Sequence, residues 1–315
     1  MITTLTPSPS LDLEYQLPNL QIGAVNRAGY FGQRAGGKGV NVSRVLVRMG
    51  VATNALVPLN EAESGTFLAS AEIDRIPIKA IEIESGVRFN VTLLHNQKTT
   101  KINAATKAWS KKESKRISDA FHAQARKSEF AVIGGSLPES TPTQWLSDLV
   151  RENKSRTRIV VDSSGPALKE VLSASPYLIK PNRDEAEELL NSSIRDLSDA
   201  KLAAQELRKM GPETILLSLG SAGSVYCSSE SLIHIRPAEL AVQSTVGAGD
   251  ALLAGFVGSF TKGLEFALAC GTAWAEAIIS NHGLHLDVSV QESTVKRIIA
   301  SGRIKNLLQT ESSRV

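Results

Sequence analysis

From about Ala120 onward, short apolar runs alternate with amphipathic stretches. Phe130 to Ile133 (FAVI) reads as a buried strand and Trp145 to Asn153 as a helix. The rhythm continues with a strand at Arg158 to Val161 (RIVV), a short helix at Leu168 to Ser173 and a strand at Tyr177 to Lys180 (YLIK). Helices at Arg183 to Leu190 and Ala200 to Met210 follow, then a strand at Thr214 to Ser218 (TILLS). Unbroken apolar runs of strand length separated by helices predict a parallel sheet covered on both faces. Right-handed crossovers would bring every strand's carboxyl end to one edge, where ligands of such folds bind.

The first third has a different pattern. Leu13 to Leu17, Arg88 to Leu94 and Thr99 to Asn103 read as strands, the last two separated by a polar turn at His95 to Lys98. These pieces predict a small antiparallel sheet inserted into the main domain, in the position of a lid. No internal repeat is visible. The polar tail, Gln309 to Val315, reads as a frayed end.

With 42% apolar and 21% charged residues among 315, the chain can build its core without disulfide or metal. Lys and Arg total 35 against 32 Asp and Glu, and no basic run occurs, so nucleic acid is not an expected partner. A few basic residues aimed into one pocket for an anionic metabolite would account for the formal charge of +3. Cys227 and Cys270 form no CxxC and sit among apolar residues, as buried thiols in a reducing compartment would. The start, MITTLTPSPSLDLEY, lacks the basic and apolar regions of a secretory signal. No stretch approaches the ~18 apolar residues of a membrane span. These features predict a cytoplasmic enzyme with no membrane partner.

Four segments carry candidate chemistry. In TVGAGDALLAGF (245–256), Gly247, Ala248 and Gly249 form a small-residue turn opening a helix near Asp250. Backbone N–H groups and the helix start can hold an anion there, and the aspartate can take a proton from an attacking hydroxyl. A plain glycine turn with Asp250 as N-cap explains the same residues. In AGGKGVNVSRVL (35–46), glycines bracket Lys38 and a helix follows from Val40, with Asn41 on its first turn. The spacing is neither GxxxxGK[ST] nor GxGxxG, which argues against a P-loop and a dinucleotide fold. In IKPNRDEAEEL (179–189), Asn182 and Glu185 resemble a capping box, or they organise Mg²⁺ and its waters against ATP phosphates. SLGSAGSVY (218–226) is a glycine turn between strands, either a tight hairpin or one wall of a nucleotide pocket through Ser218 and Gly220.

In this order, together with GGSLP (134–138) and VDSSG (161–165), these segments resemble the PfkB/ribokinase family of sugar kinases over nearly the whole chain. The branch that fits best holds 1-phosphofructokinases and tagatose-6-phosphate kinases. The resemblance implies a ribokinase-like three-layer α/β/α sandwich with a mostly parallel sheet and a small β-sheet lid. The core would comprise residues 1–10, 36–85 and 106–315, and the lid 11–35 and 86–105.

It also implies roles. Asp250 matches the catalytic base, and Gly247, Ala248 and Gly249 match the anion hole. Asp12, Gly36, Gly37, Lys38, Asn41 and Asn103 match the sugar site. Arg88 and Ser136 match the receptor for the acceptor's existing phosphate, and Arg27 a lid residue that reaches a neighbouring subunit. Lys180, Asn182, Glu185, Ser218, Gly220 and Gly223 match the nucleotide side, with Glu185 holding Mg²⁺ through water. ATP and Mg²⁺ are the implied cofactors, and a homodimer through the lids the implied assembly.

Lys38 and Arg88 in one pocket suit an acceptor that is already phosphorylated. Fructose 1-phosphate is the first expected acceptor, followed by tagatose 6-phosphate and fructose 6-phosphate. The chain departs from the family pattern at Ser8 in TPSP, in LNEAESG (59–65) and in NAATK (103–107). The altered 103–107 loop motivates a second reading, a sugar-phosphate-binding protein without turnover. A nicotinamide oxidoreductase would need a glycine-rich turn after its first strand, where TPSPSLD stands instead.

Overall fold

A computed structural model describes residues 1–96, 98–242, 244–281 and 288–308. The expected frayed tail at 309–315, and Gln97 within the expected polar turn, lie outside the described residues. In chain order the elements begin with β1 (Ile2–Leu5), β2 (Ser10–Leu17), β3 (Tyr30–Gly36), α1 (Lys38–Arg48), β4 (Thr53–Leu59), α2 (Glu61–Ile73) and β5 (Ile78–Glu82). Next come β6 (Arg88–His95), β7 (Lys98–Asn103), α3 (Lys111–Ala125), β8 (Phe130–Gly134), α4 (Gln144–Asn153), β9 (Arg158–Asp162), α5 (Gly165–Leu172) and β10 (Leu178–Ile179). The rest are α6 (Arg183–Leu190), α7 (Leu197–Lys209), β11 (Thr214–Ser218), β12 (Ser224–Cys227), β13 (Leu232–Ile235), α8 (Ala248–Ser259), α9 (Leu264–Ser280), α10 (Glu292–Ala300) and β14 (Ile304–Asn306).

Ten strands form the main sheet in the order β14-β13-β12-β11-β10-β9-β8-β1-β4-β5. Every pair from β11 to β5 is parallel, and β12 to β14 continue the sheet antiparallel. Neighbouring residues of one strand feed opposite cores. Ile133, Val161 and Leu217 pack with Phe121, Leu149, Leu168 and Leu207. Val132, Val160 and Leu216 pack with Leu46, Phe256, Trp274 and Ile298. That double burial is why these strands read as apolar runs; each fully buried side chain contributes roughly 1.5–3 kcal/mol. Helix α8 is apolar on nearly all sides because it lies between the sheet, α1 and α9. A Cβ on Gly255 of α8 would lie 2.7 Å from the Gly271 Cα of α9, so the two backbones touch.

The small sheet runs β3-β2-β6-β7. Its outer pairs are antiparallel, but its central pair, β2 with β6, is parallel, because the 70 residues between them build β3, α1, β4, α2 and β5. The sheet is therefore mixed, not antiparallel throughout as expected. Expected boundaries also move: β2 begins at Ser10 and α5 at Gly165, each three residues earlier than expected. Helix α7 begins at Leu197 because the Asp196 side chain caps the Asp199 N–H at 2.9 Å and adds a turn. β10 shrinks to two residues, and α8 starts at Ala248 with Gly247 as its N-cap, so Asp250 is not the cap. Cys227 and Cys270 are free and buried. Among the described residues no helix is long and apolar enough to cross a membrane.

Candidate active site

Two glycine-opened helices meet at the carboxyl edge of the main sheet. Gly37, at φ 113°, is the N-cap of α1, and a Cβ on Gly39 would stand 2.5 Å from Thr6 Oγ1. Gly134, at the end of β8, closes on the Gly39 nitrogen in the same way, at 2.8 Å. Gly247 takes the left-handed conformation at φ 80°, and no side chain caps α8. First-turn N–H groups such as those of Gly249 and Asp250 have no intrahelical acceptor and remain open to an anion.

A buried web of charge lies between these helix starts. Asp162, at the end of β9, accepts from Lys38 Nζ at 2.7 Å and pairs with Lys180 Nζ at 3.1 Å. Lys38 Nζ also lies 3.9 Å from Glu185 Oε1. Burial opposes ionisation of Asp162, but Lys180 and Lys38 outweigh it and hold the carboxyl below the usual range. Asp162 and Glu185 likewise raise Lys38 in spite of its burial. Asp250 responds the other way. Burial, and then the negative charge of Asp162, push it up to about 6, against the opposing pull of Lys38, the Asn41 amide and Lys180. The Asn41 side chain donates to Asp250 Oδ2 at 2.7 Å. Asp250 is thus ionised at neutral pH yet more basic than an ordinary aspartate, which suits a proton acceptor.

A second polar group lies on one face of the small sheet. The register sets Asp12 opposite Asn90, and Asn90 opposite Asn103. Residues on alternate positions share a face, so Arg88, at the first position of β6, lies on the same side. Asp12 Oδ1 accepts from Ser10 Oγ and Asn90 Nδ2, both at 2.8 Å. Gly36 leaves room for Asp12, since a Cβ there would lie 2.2 Å from its Oδ2. Burial lowers the half-buried Arg88 guanidinium, Asp12 partly offsets this, and Arg88 Nε is buried without a hydrogen-bond partner. Ser136 lies half-buried just beyond β8. Ser8, the departure in TPSP, is buried with its Oγ unpaired. Arg27 is not brought to the site: it is exposed in the loop between β2 and β3.

On the other flank, Asn182 and Glu185 form the expected capping box. Asn182 Oδ1 accepts from the Glu185 N–H at 2.8 Å, and Glu185 Oε2 accepts from the Asn182 N–H at 2.9 Å. Glu185 Oε1 still faces Lys38, so the cap and the site share one side chain. Ser218 bridges to Asn182 across the sheet edge. Gly220 sits at φ 61° and Gly223 at φ 92° in the turn after β11. A Cβ on Gly223 would meet the Ile235 carbonyl at 1.9 Å, so the hairpin itself requires that glycine. A cavity of about 480 Å³ lined by Arg183, His234, Arg236 and Arg303 lies beside this turn; none of the expected site residues lines it.

The sequence model of pfkB family carbohydrate kinases matches residues 11–290. The chain belongs to that family. Among curated relatives, this pfkB kinase is 30% identical to 1-phosphofructokinase of Borreliella burgdorferi over 282 residues, covering 87% of the chain and 92% of the relative. It is 33% identical to tagatose-6-phosphate kinase of Staphylococcus epidermidis over 259 residues, covering 81% and 84%. Its fold matches phosphofructokinase-2 of Escherichia coli in complex with fructose-6-phosphate at a TM-score of 0.83 and 26% identity, covering 95% and 98%.

Two features of the pfkB kinase site went unassigned in the sequence. Asp162, inside the VDSSG segment, turns out to be the anion that organises Lys38 and Lys180. An aspartate ending the buried apolar run Ile159–Val161 was the available signal. Asn90, in VRFNV, holds Asp12, and only strand register reveals it.

Proposed function

We propose that this enzyme transfers the γ-phosphoryl group of ATP to a hydroxyl of a hexose monophosphate, with fructose 1-phosphate as acceptor and the 1,6-bisphosphate as product. The observation that carries the reading is the partnerless, buried Arg88 Nε beside Asp12, a receptor for the phosphate the sugar already bears. Names of relatives at 30% and 33% identity support the same class and leave tagatose 6-phosphate as the second acceptor.

The acceptor hydroxyl loses its proton to Asp250 as its oxygen forms the new bond to phosphorus. The bond to the bridging oxygen breaks in line, and ADP leaves. The open amides at the start of α8 face the charge spread over the transferring group, and Lys38 and Lys180 supply positive potential nearby. Among the described residues no group of three or more His, Cys, Asp or Glu side chains could hold a metal. Glu185, a lone oxygen donor at the edge, fits Mg²⁺, which takes one or two carboxylates and fills its shell with water and phosphate oxygens. When bound, Mg²⁺ neutralises phosphate charge. Asn182, Ser218 and Gly220 line the nucleotide side in this reading.

The small sheet acts as a lid that excludes water from the acceptor. Its polar face carries Asp12, Asn90 and Asn103. Its opposite face, by register, carries Tyr15, Phe31, Phe89 and Ile102, and the last three are 52%, 44% and 59% exposed. That apolar face suits a second copy of the chain, with Arg27 extending toward the partner's site.

ADP release measured in parallel with fructose 1-phosphate, tagatose 6-phosphate and fructose 6-phosphate tests the assignment, and no release above an Asp250→Asn control with any of them refutes turnover. Arg88→Ala should raise the sugar-phosphate KM about tenfold to a hundredfold, in line with loss of a charge-assisted contact, and leave the KM for ATP in place. An unchanged sugar KM would remove Arg88 from the phosphate receptor.

A further inference from the structure

Behind Asn41 lies a second buried set of charges. Asp74, the C-cap of α2, receives Arg44 Nε at 2.7 Å, Arg34 Nη2 at 3.1 Å and Arg48 Nη2 at 3.4 Å. Arg44 is fully buried, and its guanidinium divides its donors three ways. Nε goes to Asp74, Nη2 to the Ala35 carbonyl at the end of β3, and Nη1 to Asn41 Oδ1 at 2.5 Å.

We propose that Arg44 is a positioning residue for the base, holding the Asn41 amide with its nitrogen turned to Asp250. This role depends on Asp250 being the base, as proposed above, and follows from what each group can donate or accept. A guanidinium only donates, so it demands the amide oxygen of Asn41. The amide nitrogen is then left for Asp250 Oδ2, where it is found. Turning the amide over would set N–H against N–H on one side and oxygen against carboxylate on the other, so both hydrogen bonds would be lost at once. Residues 41 and 44 are three apart on α1, so both side chains meet on one helix face. Arg44 itself is held by two fixed acceptors. The bland reading is that Arg44 only neutralises Asp74 and ties α1 to β3. Arg34 separates the two, because it pairs with the same Asp74 and makes no hydrogen bond to Asn41.

The experiment is the pH dependence of kcat for ADP release by the full-length enzyme and its Arg44→Gln, Arg44→Lys and Arg34→Gln variants. Asn41 donating to the carboxylate favours the ionised form. Releasing that amide should therefore move the acid limb upward by about one pH unit, a roughly tenfold loss of kcat below the limb. Asp162, Lys38 and Lys180, the charged groups that act on Asp250 from β9, α1 and the end of β10, are unchanged in these variants. Arg34→Gln should leave the limb in place while losing a comparable ion pair. A limb that stays put in the Arg44 variants, or moves equally in Arg34→Gln, overturns the proposal. If Arg44→Gln does not fold, Arg44→Lys keeps a cation beside Asp74 but loses the fork. In an Asn41→Ala background, Arg44→Lys should then add no further shift, and an additive shift counts against action through Asn41. A wild-type enzyme inactive toward every sugar phosphate would strike the kinase reading instead. The carboxyl titration of residue 250, followed by NMR against Asp250→Asn, then reads the same expected shift without turnover.

Discussion

Helices α6 and α8 both carry an acidic residue at their third position, and the two side chains go opposite ways. Glu185 turns back onto its own cap, Asn182, so the start of α6 satisfies itself. Asp250 turns away from its helix to Asn41, and α8 opens on Gly247 with no side chain over its amides. Identical chemistry at the same helical position thus serves stability in one case and leaves a reactive edge in the other. What decides is the N-cap: an asparagine accepts the early N–H groups, whereas a left-handed glycine leaves them pointing outward.

The strongest way to break this contrast is Asp250→Asn. Loss of the proposed base should lower kcat by about 10²–10⁴-fold, with ATP affinity nearly intact. Stability should hold or rise, because burial disfavours the ionised carboxylate and the amide has no such penalty. Next comes pH. With Asp250 at about 6, the base is protonated below that value, so kcat should fall about tenfold per pH unit on the acid side and level off above it. A profile flat down to pH 5 would remove Asp250 from that role. Asn182→Ala addresses the helix start with both characters. It should cost about 1 kcal/mol in urea unfolding and also raise the KM for ATP. Asp196→Ala, at the start of α7, should give the smallest response, a similar loss of stability with kinetic constants unchanged.

From Phe130 to Ser218 the architecture was readable because strands buried on both faces announce themselves as apolar runs, whereas β13, α9, α10 and β14 carried no expectation. β1 was placed only as the strand before TPSPSLD and has no apolar run of its own, because Thr3 and Thr4, both fully buried, read as polar. Their hydroxyls are satisfied by Ser128 at 2.7 Å and Ser43 at 2.9 Å, distant partners that no local pattern shows. Helix α2 hid because it buries only Phe67, Ser70 and Ala71. β3 was also missed, and with it the mixed pairing of the small sheet. Within the site, the motif residues at 36–41, 182–185 and 247–250 were legible from glycine spacing and order. The grip of Asp162 on two lysines was not, since it depends on β9 lying between β8 and β10. The Asp74 cluster likewise joins residues 30 and 40 positions apart.

The contact between Gly255 and Gly271 has a consequence for anyone hoping to redirect this catalyst. Two main chains pressed together without intervening side chains leave no space for a larger residue at either position behind the helix that bears residue 250. New acceptors must therefore be accommodated by remodelling the small sheet, while the scaffold behind the base is inherited unaltered.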